Sequence, residues 1–269
     1  MKEFLSGFVA IIGSPNVGKS TLMNNMIGQK ISIVSDKAQT TRNRLHGVLT
    51  KDDYQIIFID TPGIQAPRNK LGDYMLRSAY EALEDVDAVL FVVDALKGMG
   101  ARDLSILERL LGAAPIIIAV NKKDAVNDAT LLSVLASLNS YDKLDAVIPI
   151  SALEGDGVET LEKRLVKHLK PGPKYYPDDM ITDQPERVIA AEIIREKALI
   201  CLRDEVPHGV GVEIMSISKP EETSLLSISA TIYCERASHK SIIIGNQGSM
   251  LKKIGTAARY DLQRLFGEK

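Results

Sequence analysis

"GSPNVGKS", Gly13–Ser20, fits the pattern G-x-x-x-x-G-K-[ST]. It follows the apolar run Phe8–Ile12 directly and opens a helical pattern, and that setting decides the fold. Glycines at the two ends let main-chain N–H groups curl around phosphate oxygens at a helix N-terminus. Lys19 then reaches the β- and γ-phosphates, and the Ser20 hydroxyl suits Mg²⁺. Ser14, Asn16, Val17, Gly18 and Thr21 complete the phosphate contacts. The loop alone does not separate ATP from GTP.

Outward from this loop, short apolar runs alternate with amphipathic segments. The runs are Phe8–Ile12, Gln55–Ile59, Ala88–Val93, Ile116–Val120 and Val147–Ile150. Helical patterns fall at Leu71–Leu83, Leu104–Leu111, Leu131–Leu138 and Val158–Leu169. The alternation predicts a three-layer α/β domain with a mostly parallel sheet over residues 1–170. "KPGPKYYPDDMITDQP" breaks it with Pro171, Pro173, Pro177 and Pro185, which predicts a linker over residues 171–185. Residues 186–269 read α-β-β-α-α, with strands at Val210–Ile217 and Leu225–Cys234 and a last helix from Ser249 to Phe266.

Three further motifs stand at strand ends, where open α/β sheets bind ligands. "DTPG" puts the Asp60 carboxylate on the Mg²⁺ side and the Gly63 N–H beside a γ-phosphate. "NKKD", Asn121–Asp124 with Lys122 between, supplies a carboxylate that accepts from both N–H groups of the guanine edge. Adenine lacks that donor pair, so the wrong base leaves a buried acceptor unpaired. "SAL", Ser151, Ala152 and Leu153, offers a main-chain N–H to the guanine O6. Each motif is weak alone; all in order, each at a strand end, point to a guanine nucleotide.

The whole chain sets bounds on these readings. Its 269 residues are 45% apolar and 25% charged with a formal charge of −2, ordinary globular composition and no polyanion binder by bulk charge. Residues 238–269 carry six Lys/Arg (Lys240, Lys252, Lys253, Arg259, Arg264, Lys269) against Asp261 and Glu268, a local excess of basic charge. Two cysteines, Cys201 and Cys234, show no metal-ligand spacing and read as buried thiols of a reducing cytoplasm. No apolar run approaches the roughly twenty residues of a membrane span.

With "KAQTTRNR" and "PDDMITDQPERVIAAEIIREK", the motifs resemble the Era family of bacterial ribosome-assembly GTPases over essentially the whole chain. The resemblance implies a P-loop GTPase domain followed by a smaller α+β domain of the KH type. It implies GTP and GDP as ligands and Mg²⁺ held by Ser20, Thr41 and Asp60, with Thr40 an alternative to Thr41. Lys19, Asn16, Thr41 and Gly63 then serve hydrolysis. After "DTPG" comes Ile64, where many GTPases keep a water-positioning glutamine. Gln65 is one position along, and slow hydrolysis is expected. Asn16 matches an asparagine that helps hold K⁺ in related GTPases, or it merely shapes the turn.

In the second domain "GNQG", Gly245–Gly248, resembles the GxxG turn of KH domains, whose amides clamp single-stranded RNA. Gly245, Asn246, Gln247, Gly248, Lys252 and Lys253 are the expected contacts. Asn246 and Gln247 stand where a basic residue is common, and the chain stops at Lys269 where the family continues with a strand and a helix. The resemblance further implies the 3′ end of 16S rRNA and the 30S subunit as partners. A monomer in the cytoplasm, peripheral at the inner membrane, completes these expectations. Rival readings are a related GTPase acting on tRNA, and an RNA-binding module whose nucleotide domain does not turn over.

Overall fold

The apolar runs become strands because both faces of their sheet are covered, which is where continuous apolar strands belong. In the computed structural model the described residues are 3–34, 45–61, 83, 85–112, 114–139, 141–203, 206–219 and 225–267. Thr40, Thr41, Gly63, Ile64 and Gln65 lie outside them, as does the helix expected over Leu71–Leu83 apart from Leu83. The chain divides between Asp183 and Gln184 into two units, with Ile33 and Val34 grouped with the second.

The first unit runs β1 (Leu5–Ile12), α1 (Lys19–Ile27), β2 (Leu45–Thr50), β3 (Tyr54–Asp60), β4 (Ala88–Asp94), α2 (Ala101–Leu110), β5 (Ile116–Asn121), α3 (Asp128–Leu138), β6 (Ala146–Pro149), α4 (Val158–Val166) and β7 (Lys170–Pro171). The sheet order is β2-β3-β1-β4-β5-β6, with β7 against β1. β1, β3, β4, β5 and β6 pair in parallel, while β2 and β7 run antiparallel to their neighbours. Alternate side chains of one strand enter opposite cores. Val9 and Ile11 pack with Leu22, Phe58, Leu161 and Leu165 on one face. Ala10 and Ile12 pack with Phe91, Leu107, Leu110 and Leu138 on the other.

The proline-rich stretch expected as a linker lies against the first unit as a strap as far as Asp183. Gln55, fully buried on β3, accepts at Oε1 from the N–H groups of Tyr175 (2.8 Å) and Tyr176 (3.0 Å). Its Nε2 donates to the Tyr176 oxygen and to Thr50 Oγ1, each at 2.9 Å. The Val48 N–H donates to the Ile181 oxygen (2.8 Å), and Thr182 Oγ1 to the His46 oxygen (2.7 Å). Prolines remove main-chain donors, so a side-chain amide with both donor and acceptor is suited to hold such a stretch.

The second unit runs α5 (Glu186–Cys201), β8 (Val210–Ser218), β9 (Ser227–Cys234), α6 (Ala237–Ile244) and α7 (Ser249–Phe266). β8 and β9 form an antiparallel hairpin. Ile189, Ile193 and Ala198 of α5 pack with Val210 and Ile214 of β8 and with Ile254 and Ala258 of α7. Glu213 and Tyr233 sit exposed on the hairpin, joined by a hydrogen bond of 2.6 Å, as expected of a sheet wet on one side. Cys201 and Cys234 are free thiols, half-buried rather than buried as their surroundings in the sequence suggested.

Candidate functional site

The parallel strands bring their carboxyl-terminal loops to one edge of the first unit. Gly18 opens α1 with φ 97°, and a Cβ there would lie 2.2 Å from Asn121 Nδ2. The glycine is therefore required by the approach of another loop as well as by its backbone angle. Asn16 holds the left-handed region at φ 64°. Lys19 Nζ donates to the main-chain oxygens of Gly13 (3.0 Å) and Ser14 (3.1 Å) and is almost fully buried. Burial lowers its pKa to about 8, against the opposing pull of Asp60 and Asp103.

Asp60, at the end of β3, is wholly buried. Its Oδ2 accepts from Ser20 Oγ and from Ser32 Oγ, each at 3.0 Å. Burial pushes its pKa up, while Lys19 and the two hydroxyls pull it back down. The buried Oδ1 has no hydrogen-bond partner among the described residues. An orphaned carboxylate oxygen beside a serine hydroxyl is a hard oxygen set that fits Mg²⁺, which binds through few protein oxygens and keeps its waters. Thr41, the third expected ligand, lies outside the described residues.

Asn121 is a stitch between loops. Its Nδ2 donates to the Val17 oxygen and its Oδ1 accepts from the Ala152 N–H, both at 2.8 Å. Lys122, at φ 66°, donates to the Asn16 oxygen (2.9 Å) and to Asp94 Oδ2 (2.7 Å). Asp124 is exposed in the turn Lys123–Ala125. In the third loop Ser151 is buried, its Oγ accepting from the Glu154 N–H (3.1 Å) and its N–H donating to the Asp156 oxygen (2.8 Å). The N–H groups of Ser151 and Ala152 thus brace the loop, and Leu153 stands exposed on it.

The structure therefore brings together Ser14, Asn16, Val17, Lys19, Ser20, Asp60, Asn121, Lys122 and Ala152 through direct bonds. Thr21, in α1, makes none of these links. Sequence reasoning missed Asp94, Asp103 and Ser32. Asp103 Oδ1 accepts from Ser14 Oγ at 2.6 Å, and its Oδ2, in the first turn of α2, accepts at 3.1 Å from the N–H of Gly100, which caps that helix. An acid ending the apolar run of β4 was a readable signal for Asp94. Ser32 gave none.

In the second unit Gly245 ends α6 at φ 73°, and a Cβ there would meet the Met250 nitrogen at 2.7 Å. The turn Asn246–Gly248 follows, with Gln247 at φ 48° and Gly248 at φ 79°. Asn246, Gln247, Lys252 and Lys253 are exposed, the lysines where the first turn of α7 passes into the second. An apolar cavity of about 640 Å³ lies between β9 and α7, lined by Ile228, Ile232, Leu251, Ile254, Leu262 and Phe266 among others. A glycine turn followed by two exposed lysines, in a unit that also carries an apolar cavity, has the parts that hold a phosphate chain and its unstacked bases.

The family described as 50S ribosome-binding GTPase matches residues 8–122, and the KH domain family matches residues 205–269. The GTPase Era of Ruminiclostridium cellulolyticum is 51% identical over 268 residues, covering 99% of this chain and 90% of its own. That of Clostridioides difficile is likewise 51% identical, with 99% and 90% covered. A crystal structure of Era with MgGDPNP and nucleotides 1506–1542 of 16S ribosomal RNA superposes with a TM-score of 0.94. It is 41% identical and covers 98% of this chain and 90% of that one. An Aquifex aeolicus Era variant bound to GDP and aluminium fluoride gives a TM-score of 0.93 at 41% identity, over 98% of this chain and 91% of that one. With half the residues shared along nearly the full length, the chain belongs to the GTPase Era family.

Proposed function

We propose that this protein is a GTP-hydrolysing switch that binds the 3′ end of 16S rRNA and acts in assembly of the 30S subunit. The observation that carries the reading is the stitching of three loops by Asn121 and Lys122, which leaves Asp124 exposed to meet a base. Residues Ser14–Thr21 hold the phosphates, Asp124 reads guanine with the Ser151–Leu153 loop beside it, and Ser20 and Asp60, with Thr41, hold Mg²⁺. The ion, when bound, neutralises charge on the phosphates. Lys19 adds its own charge beside it. Gly63 and Thr41 close on the γ-phosphate in this reading.

The residue after the "DTPG" motif is Ile64 rather than glutamine. A K⁺ held with the help of Asn16 would offset charge developing between the β- and γ-phosphates. Residues 1–170 form the GTPase domain and 186–269 the KH-type domain, in which Gly245–Gly248, Lys252 and Lys253 hold RNA. No helix among the described residues is long and apolar enough to cross a membrane. A monomeric, cytoplasmic protein with peripheral membrane contact belongs to the same reading and rests on the family resemblance.

The test is GTP hydrolysis with and without an RNA of the 16S 3′ end. Turnover that requires Mg²⁺, together with RNA binding lost when the Gly245–Gly248 turn is altered, is expected. Nucleotide binding without turnover under every condition would leave an RNA-binding module in place of a switch.

A further inference from the structure

Ser32 lies in the loop that follows α1, in a stretch with no motif. Its hydroxyl is almost fully buried and donates to Asp60 Oδ2 at 3.0 Å. Its main chain is fixed from both sides by one residue of α1. Asn24 Nδ2 donates to the Ser32 oxygen at 2.7 Å, while Asn24 Oδ1 accepts from the N–H groups of Ser32 (2.9 Å) and Ile31 (3.0 Å). Both ends of one asparagine amide thus place Ser32, with its neighbour Ile31 held alongside.

The need for that placement follows from Asp60. The terminal torsion of an aspartate is broad and nearly two-fold, so one hydrogen bond leaves the carboxylate free to turn. Ser20 supplies one bond to Oδ2, and the Ser20 hydroxyl is also the group read here as a metal ligand. A second donor on the same oxygen, from another loop, stops the turn. Oδ2 is thereby committed to protein donors, and among the described residues Oδ1 is left without one.

We propose that Ser32, braced by Asn24, is a positioning residue for the Mg²⁺-facing carboxylate of Asp60 and so sets how much Mg²⁺ is needed to retain nucleotide. The proposal rests on the nucleotide-site reading above.

The experiment follows release of mant-GDP, a fluorescent GDP, from the full chain across a Mg²⁺ titration that begins in excess chelator. In Ser32→Ala the Mg²⁺ concentration for half-maximal slowing of release rises about tenfold, the scale of one lost hydrogen bond to a charged group. The rate in chelator stays as in the parent. Ser32→Thr, which keeps the hydroxyl, restores the parent midpoint. Asn24→Ala moves the midpoint the same way and adds nothing on top of Ser32→Ala, because it acts through that serine. An unchanged midpoint in Ser32→Ala overturns the proposal. So does faster release by the same factor with and without Mg²⁺, which marks a loosened pocket. A parent whose mant-GDP release ignores Mg²⁺ would instead overturn the site reading itself.

Discussion

Lys122 Nζ donates to the main-chain oxygen of Asn16 across 2.9 Å, joining the loop read as the base reader to the loop read as the phosphate holder. Asp94, buried at the end of β4, holds the same ammonium at 2.7 Å. The two halves of the pocket are one hydrogen-bonded body, so substitutions in either should register in both base and phosphate affinity.

Asp124 is the exception, since it is exposed on its turn. Asp124→Asn should leave thermal stability unchanged and shift preference from guanine to xanthine nucleotides. The amide presents a donor where the carboxylate accepted. Titration with GTP and XTP checks this, and undiminished GTP affinity would refute the assignment.

Hydrolysis should run faster in K⁺ than in Na⁺ at matched ionic strength if Asn16 helps hold a cation. Asn16→Ala should remove the difference. Equal parent rates in the two salts would leave Asn16 as a turn residue, which its φ of 64° already makes it.

Replacing both Asn246 and Gln247 with Asp should abolish RNA binding and leave GTP binding intact. Each carboxylate would oppose a phosphate at roughly 1 kcal/mol or more near the surface. Lys252→Ala and Lys253→Ala should weaken binding across sequences and flatten its salt dependence. Filter binding over a salt series reads both.

Gln55→Leu should free the strap around Tyr175 and Tyr176 while the bonds at Ile181 and Thr182 remain. Three of its main-chain groups lose their partners, at a cost of about 2–4 kcal/mol. Brief trypsin treatment should then nick after Lys174 at doses the parent resists, because the bond after Lys170 is shielded by Pro171. Resistance equal to the parent's would show that Gln55 does not hold this part of the strap.

Asp145 accepts from Arg164 Nε (2.6 Å) and Nη2 (2.7 Å) and pairs with His168 at 2.9 Å. Burial pushes its pKa up, but Arg164 and His168 outweigh that and hold it below the ordinary carboxylate value. As pH falls the unfolded chain takes up the proton first, so the stabilisation is complete above the ordinary carboxylate pKa and fades below it. Asp145→Asn should lower stability by about 1–2 kcal/mol at pH 7. Urea unfolding should show that gap closing under strongly acid conditions.

Much of this was legible because the chemistry repeats at strand ends. Phe8–Ile12 and Ile116–Val120 are apolar throughout since β1 and β5 are covered on both faces, and the observed strands extend them by only a few residues. β2 escaped notice: "LHGVLT" is short and interrupted by Gly47, and pairing with β3 makes it a strand. Prolines concealed β7 and the strap, whose bonds at Tyr175 and Tyr176 are made by a glutamine 120 residues away in sequence from Tyr175. In the site, glycines, Lys19 and the carboxylates announce themselves by type and spacing. Ser32 and Asp103 do not, since a serine donor or a helix-capping acid has many ordinary uses and reveals its partner only when the loops meet.

The stitches of the pocket also bear on when it forms. Asn121 reaches Val17 over 104 positions of chain, and Lys122 reaches Asn16 over 106. Contacts between such distant segments close large loops and are gained after local ones. The pocket therefore needs segments more than a hundred positions apart to be in place together before it can hold a nucleotide. A ligand at a thousand times its dissociation constant adds about 4 kcal/mol to the folded state. GTP or GDP would then act as a thermodynamic latch on the closed molecule.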